Sequence, residues 1–157
     1  MHLQELQNID NEEFCIKCLV ILPDCRIVSG SSQGNLIIYN IINNEYKCEL
    51  IIQTNHDLIN YLMVLETRQL LSCGGSKEIR VWSIFQTSYT CDYGIKEAHE
   101  DFIIKIISLL NNRIASCSKD KTIRIWKSQL PFSLIKILKV LIYYYLGHLI
   151  IHFVYET

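Results

Sequence analysis

The sequence predicts an all-β chain in which about three four-stranded antiparallel units repeat along residues 12–138, followed by an apolar C-terminal tail. Two observations carry that reading. Arg113–Trp126 alternates small or apolar residues with polar ones on either side of a polar turn, the pattern of a β-hairpin. The same pattern stands upstream at Gln69–Trp82 and Arg26–Tyr39, and its landmarks step by 43 and then 44 residues: Ser29, Ser72, Ser116, and Tyr39, Trp82, Trp126. A period of that length, filled with short strands, indicates the blades of a propeller. Three blades are fewer than the roughly four to eight that close one, so the expected architecture is a partial β-propeller.

Residues 1–11 read as a leading strand or linker, suited to the outer strand of a preceding blade. The first unit (12–53) opens with the apolar run Phe14–Leu22 and turns at Pro23-Asp24-Cys25. It continues with strand Arg26–Gly30, a tight turn over Ser31–Asn35, strand Leu36–Tyr39 and an outer strand Tyr46–Gln53. The second (54–97) repeats the plan with His56, strand Ile59–Leu65, the turn Glu66-Thr67-Arg68, and strands Gln69–Cys73 and Glu78–Trp82. In the third (98–138), strand Phe102–Leu110 and the Asn111-Asn112 turn precede strands Arg113–Cys117 and Thr122–Trp126, with Leu134–Leu138 as outer strand. Along Ile123–Trp126, Ile123 and Ile125 face one way, Arg124 and Trp126 the other. Both faces carry apolar residues, as a blade covered on both sides requires.

The texture changes after Pro131: residues 132–157 hold three charged side chains, Lys136, Lys139 and Glu156. The runs Val140–Leu146 and Leu149–Tyr155 repeat nothing upstream, so 139–157 is set apart as an atypical tail. Three readings stand open for it. As a membrane anchor it is short of the ~20 apolar residues that a spanning helix needs, and its β-branched and aromatic content suits strands. Gly147-His148 would open a fourth unit, 49 residues after His99. The third reading is that the sequence beyond Lys139 is not the native continuation of the array.

Bulk composition narrows the function. Half of the 157 residues are apolar, enough for a globular core. With 15 basic against 16 acidic residues, no global field draws the chain to nucleic acid or an anionic membrane, so neither is an expected partner. Seven cysteines is an odd count, and Met1–Asp10 lacks the basic start and apolar run of a secretory signal. The expectation is a cytoplasmic chain with reduced thiols, most of them acting as small buried hydrophobes.

The units resemble the WD-repeat β-propeller family over roughly residues 12–138. In that family a His in the loop entering each blade, a Ser or Thr in the second strand, an Asp in the following turn and a Trp in the third strand form one hydrogen-bonded network. The third unit matches throughout, with His99, Ser116, Asp120 and Trp126. The second keeps His56, Ser72 and Trp82 but has Ser76 at the Asp position; the first keeps only Ser29, with Gln33 and Tyr39 in place of Asp and Trp. None of the three ends in Trp-Asp, and Asn55 and Ala98 stand where a Gly usually precedes the His.

Other chemistries fit these residues less well. A Ser-His-Asp hydrolase would use Ser116, His99 and Asp120, but no nucleophile elbow is present and Ser116 falls mid-strand. Cys15, Cys18 and Cys25 have no second cysteine pair to complete a zinc site, and strand residues three apart face opposite ways. Lys77, Arg80, Lys119, Lys121, Arg124 and Lys127 recur around two hairpins, as a positive patch for an acidic or phosphorylated segment or as ordinary turn solvation.

The resemblance implies a non-enzymatic scaffold for proteins or peptides, with no metal and no cofactor. Family architecture places partner contacts near Asp57, Ser76, Lys77, Glu100, Lys119 and Lys121. Open blade edges imply self-association or pairing with another propeller fragment. The alternatives are a membrane-attached adaptor using the tail and a fragment of a larger propeller protein.

Overall fold

A computed structural model describes residues 14–86, 88–129, 131–145 and 148–155, from residue 140 onward as backbone alone. The strand expected within residues 1–11 lies outside the described residues. Four strands, β1 (Ile16–Ile21), β2 (Ile27–Ser31), β3 (Asn35–Ile42) and β4 (Glu45–Gln53), form the first sheet in that spatial order. β5 (Ile59–Val64), β6 (Leu70–Gly74), β7 (Ile79–Ile84) and β8 (Tyr89–Ile95) form the second. The third holds β9 (Ile103–Leu109), β10 (Arg113–Ser118), β11 (Thr122–Lys127) and β12 (Ser133–Tyr145), with β13 (His148–Tyr155) added beside β12. Every paired neighbour is antiparallel. The described residues thus form an all-β partial propeller of three blades.

Turn chemistry repeats with the strands. The turns leading into β2, β6 and β10 carry left-handed residues at Cys25 (φ 69°), Arg68 (φ 67°) and Asn112 (φ 52°). The β2–β3, β6–β7 and β10–β11 turns do so at Gly34 (φ 77°), Lys77 (φ 64°) and Lys121 (φ 67°). Between β3 and β4 the loop is two residues, Asn43 and Asn44, both left-handed, as in a type I′ hairpin whose twist matches that of its strands.

The tail differs from its expected boundary. β12 runs past Lys139 to Tyr145, and β13 returns along it from the Tyr145–His148 pair to the Leu138–Tyr155 pair. His148 therefore begins a fifth strand of the third sheet rather than a fourth unit. Two apolar runs rich in β-branched and aromatic residues, only two residues apart, find their nearest backbone partner in each other. Among the described residues, no helix is long and apolar enough to cross a membrane.

The core lies in two layers, one at each blade boundary. Leu22, Val28, Leu36, Ile38 and Ile52 of the first sheet meet Ile59, Leu62, Leu70 and Trp82 of the second. The other face of the second sheet presents Leu71, Cys73, Ile79 and Val81 to Ala98, Ile103, Ile106, Ile114, Trp126 and Phe132. Leu70 and Leu71 are both fully buried yet belong to opposite layers, which is why the middle unit reads as apolar on both faces. Each such aliphatic side chain contributes about 1.5–3 kcal/mol on burial.

Polar clamps join the layers. Arg26, 4% exposed, donates to the carbonyls of Phe85 (2.9 Å) and Ile84 (3.3 Å) across the first boundary, while Asp24 and Glu49 hold its charge. Across the second, the Asn60 amide donates to the Ile103 carbonyl at 3.0 Å. Gly34 fixes the loop between the first two units. Its carbonyl accepts from the Thr54 amide and hydroxyl, and a Cβ there would lie 1.8 Å from the His56 carbonyl oxygen. Positive φ and that close approach together demand glycine. Gly34→Ala should therefore cost about 2 kcal/mol or more in urea unfolding of the full chain; a loss below about 0.5 kcal/mol would show that the loop is not held there.

Candidate functional site

The chemistry-bearing residues gather where the β2–β3, β6–β7 and β10–β11 turns meet the incoming loops. In the third blade the structure brings His99, Ser116, Asp120 and Trp126 into one chain of hydrogen bonds. The His99 ring meets Asp120 through Nδ1 (2.8 Å) and Ser116 Oγ through Nε2 (2.7 Å), and the Trp126 indole N–H donates to Ser116 Oγ at 2.9 Å. Strand alternation makes this possible: Ser116 and Trp126 lie on adjacent strands with side chains on the face toward the incoming loop.

Proton placement follows from which partners can donate. Asp120 only accepts, so His99 Nδ1 carries the hydrogen; Nε2 then accepts from the Ser116 hydroxyl, whose oxygen receives the indole N–H. A neutral imidazole satisfies every bond. Burial lowers the His99 pKa, outweighing the opposing pull of Asp120, with Arg124 adding to the depression. Asp120 also accepts from the Glu100 amide (3.0 Å) and from the Thr122 amide and hydroxyl. Burial works against its charge, but these donors and His99 outweigh it and hold its pKa at about 2.

The second blade builds the same chain with one part changed. His56 Nε2 meets Ser72 Oγ at 3.0 Å, and Trp82 donates to Ser72 at 2.8 Å. At Nδ1 the partner is the Ser76 hydroxyl, where the third blade has a carboxylate. Arg80 lies nearby, bonded to Glu78 and to the Thr54 carbonyl. Burial, with the Arg80 charge second, pushes the His56 pKa down to about 4. In the first blade Ser29 is fully buried, and its hydroxyl has no hydrogen-bond partner among the described residues.

The Ser116–His99–Asp120 alignment has the order of a hydrolytic triad, yet Ser116 is 0% exposed and its oxygen is already engaged by Trp126. No substrate carbonyl reaches it, so the arrangement serves structure. Cys15 and Cys25 are exposed and Cys18 half-buried, and among the described residues no group of His, Cys, Asp or Glu is placed to hold a metal.

Asp57, Lys77, Glu100, Lys119 and Lys121 are exposed at this same end of the blades, and Ser76 is half-buried. Lys119 lies over the Phe102 ring at 5.0 Å. The six basic residues do not converge: Arg80 is tied to Glu78 and Thr54, Arg124 lies 3.9 Å from Asp120, and Lys127 sits at the opposite end of β11. The Arg26 clamp escaped notice in the sequence; its only signal was a lone arginine at the start of an apolar strand.

Known proteins show the same pattern. Residues 93–127, which hold the complete third network, match the family model described as WD domain, G-beta repeat. The third unit is a WD repeat, and the chain is similar to WD-repeat proteins over most of its length. It is 31% identical over 125 residues to an uncharacterized WD repeat-containing protein of Schizosaccharomyces pombe, covering 74% of this chain and 23% of that protein. It is 29% identical over 129 residues to cilia- and flagella-associated protein 44 of Mus musculus, covering 71% of this chain and 7% of that one. Among solved structures, the WD40 repeats of RRP9 superpose with a TM-score of 0.66 at 19% identity, covering 82% of this chain and 39% of that chain. The WD40 propeller domain of Doa1 gives 0.66 at 20% identity, covering 79% and 40%. This WD-repeat chain thus spans under a quarter of either relative and about two fifths of either solved propeller. Domains of the family generally mediate protein–protein interaction and are typically non-enzymatic.

The two WD networks should respond differently to acid. Between pH 6.5 and about 4 the unfolded chain protonates His56 while the folded chain does not, so its stabilising contribution, complete above pH 6.5, is lost across that window. The loss amounts to about 3 kcal/mol. Ser76→Asp supplies the missing carboxylate, so its urea midpoint should fall less between pH 7 and pH 5 than that of the unaltered chain; equal falls would refute the assignment.

Proposed function

We propose that this chain is a non-enzymatic, cytoplasmic scaffold that binds proteins or peptides through the loops at the network end of its blades. The supporting observation is rigidity combined with exposure. Buried networks fix each hairpin turn to its incoming loop, while Asp57, Lys77, Glu100, Lys119 and Lys121 point charged groups to solvent from that frame. Partners meet a preorganised surface, which lowers the ordering cost of association. Charges of both signs there favour a partner with complementary charge pattern, setting orientation and on-rate more than raw affinity.

A second reading rests on the outer faces. Leu19 and Ile21 on β1 are each 66% exposed, and Ile104, Ile107, Leu134 and Ile135 of the third sheet are exposed as well. Such apolar strands are what a further blade covers. They support association with another copy or another propeller segment, and fit a chain that aligns with part of longer WD-repeat proteins.

A photo-crosslinking residue at Lys121 should capture a protein from cells expressing the chain, with capture lost when Asp57, Glu100 and Lys119 are charge-reversed. Equal capture from Lys47, on outer strand β4, would contradict the assigned surface.

A further inference from the structure

At the strand ends away from the histidine networks, each blade boundary forms a cleft. The one between the first and second blades holds about 390 Å³ and is lined by Leu22, Pro23, Asp24, Arg68, Ile84 and Phe85. Its repeat between the second and third blades holds about 210 Å³, and its lining includes Leu65, Glu66, Thr67, Asn112, Ser128 and Gln129. The two are the same place one repeat apart: Leu22 corresponds to Leu65, Asp24 to Thr67, Arg68 to Asn112, and Ile84-Phe85 to Ser128-Gln129. Leu65 and Leu109 keep the second cleft partly apolar, so what sets the first apart is the Ile84-Phe85 pair. At the second boundary the Phe85 position is Gln129, whereas the first carries a phenylalanine that is 54% exposed.

That ring is presented from a fixed backbone. The buried Arg26 guanidinium holds the carbonyls of both Phe85 and Ile84, and the Phe85 amide donates to the Ser88 carbonyl at 2.9 Å. The rim carries one charge of each sign, Asp24 and Arg68. Burial works against the Asp24 charge, but the hydrogen bonds and the 2.8 Å ion pair with Arg26 together outweigh it and lower its pKa; the same guanidinium pairs with Glu49 at 3.3 Å. Arg68 is exposed and makes no ion pair among the described residues. The cleft thus combines an apolar wall, an aromatic ring held in place and one available cation.

We propose that this cleft docks a segment of a partner protein that seats a bulky apolar side chain against Phe85, Ile84 and Leu22 and sets an acidic side chain on Arg68. A desolvated apolar anchor supplies most of the affinity of such a contact, and a guanidinium–carboxylate pair at its rim supplies register. This surface lies at the opposite end of the strands from the loops discussed above and does not rest on them. The occupant is acidic, since Asp24 already has a guanidinium partner while Arg68 is the lining charge that makes no ion pair among the described residues.

The test is a phage-displayed random heptapeptide library panned on the full chain, with enriched peptides then measured by fluorescence anisotropy on three variants. Phe85→Gln installs what the third blade holds at this position, so the fold tolerates it; Trp fluorescence and circular dichroism verify that. The expected peptides pair Leu, Phe or Met with a nearby Asp or Glu. They should bind about tenfold or more weakly to Phe85→Gln and about threefold more weakly to Arg68→Ala, with no change on Lys121→Ala at the other end. The proposal is overturned if no enriched peptide depends on Phe85, or if Phe85-dependent peptides lack an acidic residue and ignore Arg68→Ala.

Discussion

A buried neutral imidazole, bonded through both nitrogens, is the interaction on which each well-formed blade depends. A hairpin turn and an incoming loop are two irregular backbone segments with polar groups to satisfy, and neither packs regularly against the other. His99 solves this by accepting from Ser116 on one side and donating to Asp120 on the other, while Trp126 completes the chain from the next strand. Each bond is worth about 0.5–1.5 kcal/mol net, but leaving any of these groups buried without its partner costs more. The network is therefore cooperative: its members hold together or leave a buried polar orphan.

The three blades show what happens as that network erodes. In the second, a serine replaces the carboxylate and the imidazole loses its counter-charge while Arg80 stays close, so its proton affinity falls further. In the first, Ser29 has neither histidine nor tryptophan, and the boundary with the second blade leans instead on the apolar layer, the Gly34 turn and the Arg26 clamp. Loops held by full networks are suited to present a fixed surface. The first boundary, with an arginine bonded to backbone on the far side, has room for an exposed phenylalanine where the second boundary has glutamine.

Much of this was legible in the sequence because period and alternation are global signals. Ser29, Ser72 and Ser116 mark the second strands, and the strand runs predicted around them fall within a residue or a few of the observed ones. Side-chain identity at His99, Ser116, Asp120 and Trp126 pointed to a network whose geometry the backbone then supplies. Less legible were features set by local or cross-blade contacts. Asn43-Asn44 carries no glycine and sits in a polar stretch, so its left-handed hairpin did not stand out. Arg26 reaches carbonyls some 58 and 59 residues away, which no spacing rule reveals. The tail's pairing with β12 depended on a neighbour's edge being available, not on any repeat. Whether the basic residues form a patch or solvate turns stayed open because sequence proximity does not say which end of a strand a side chain occupies; Lys127 and Lys121 lie at opposite ends of β11.

The central claim is the protonation pattern: at neutral pH both network histidines are neutral, and His99 carries its hydrogen on Nδ1, facing Asp120. Long-range ¹⁵N–¹H correlation of the imidazole rings reads this directly. The account predicts a neutral ring at both positions at pH 7, with the Nδ1–H tautomer at His99. An Nε2–H tautomer at His99, or an imidazolium at either position, would mean that the chain of bonds described for the blades is wrong.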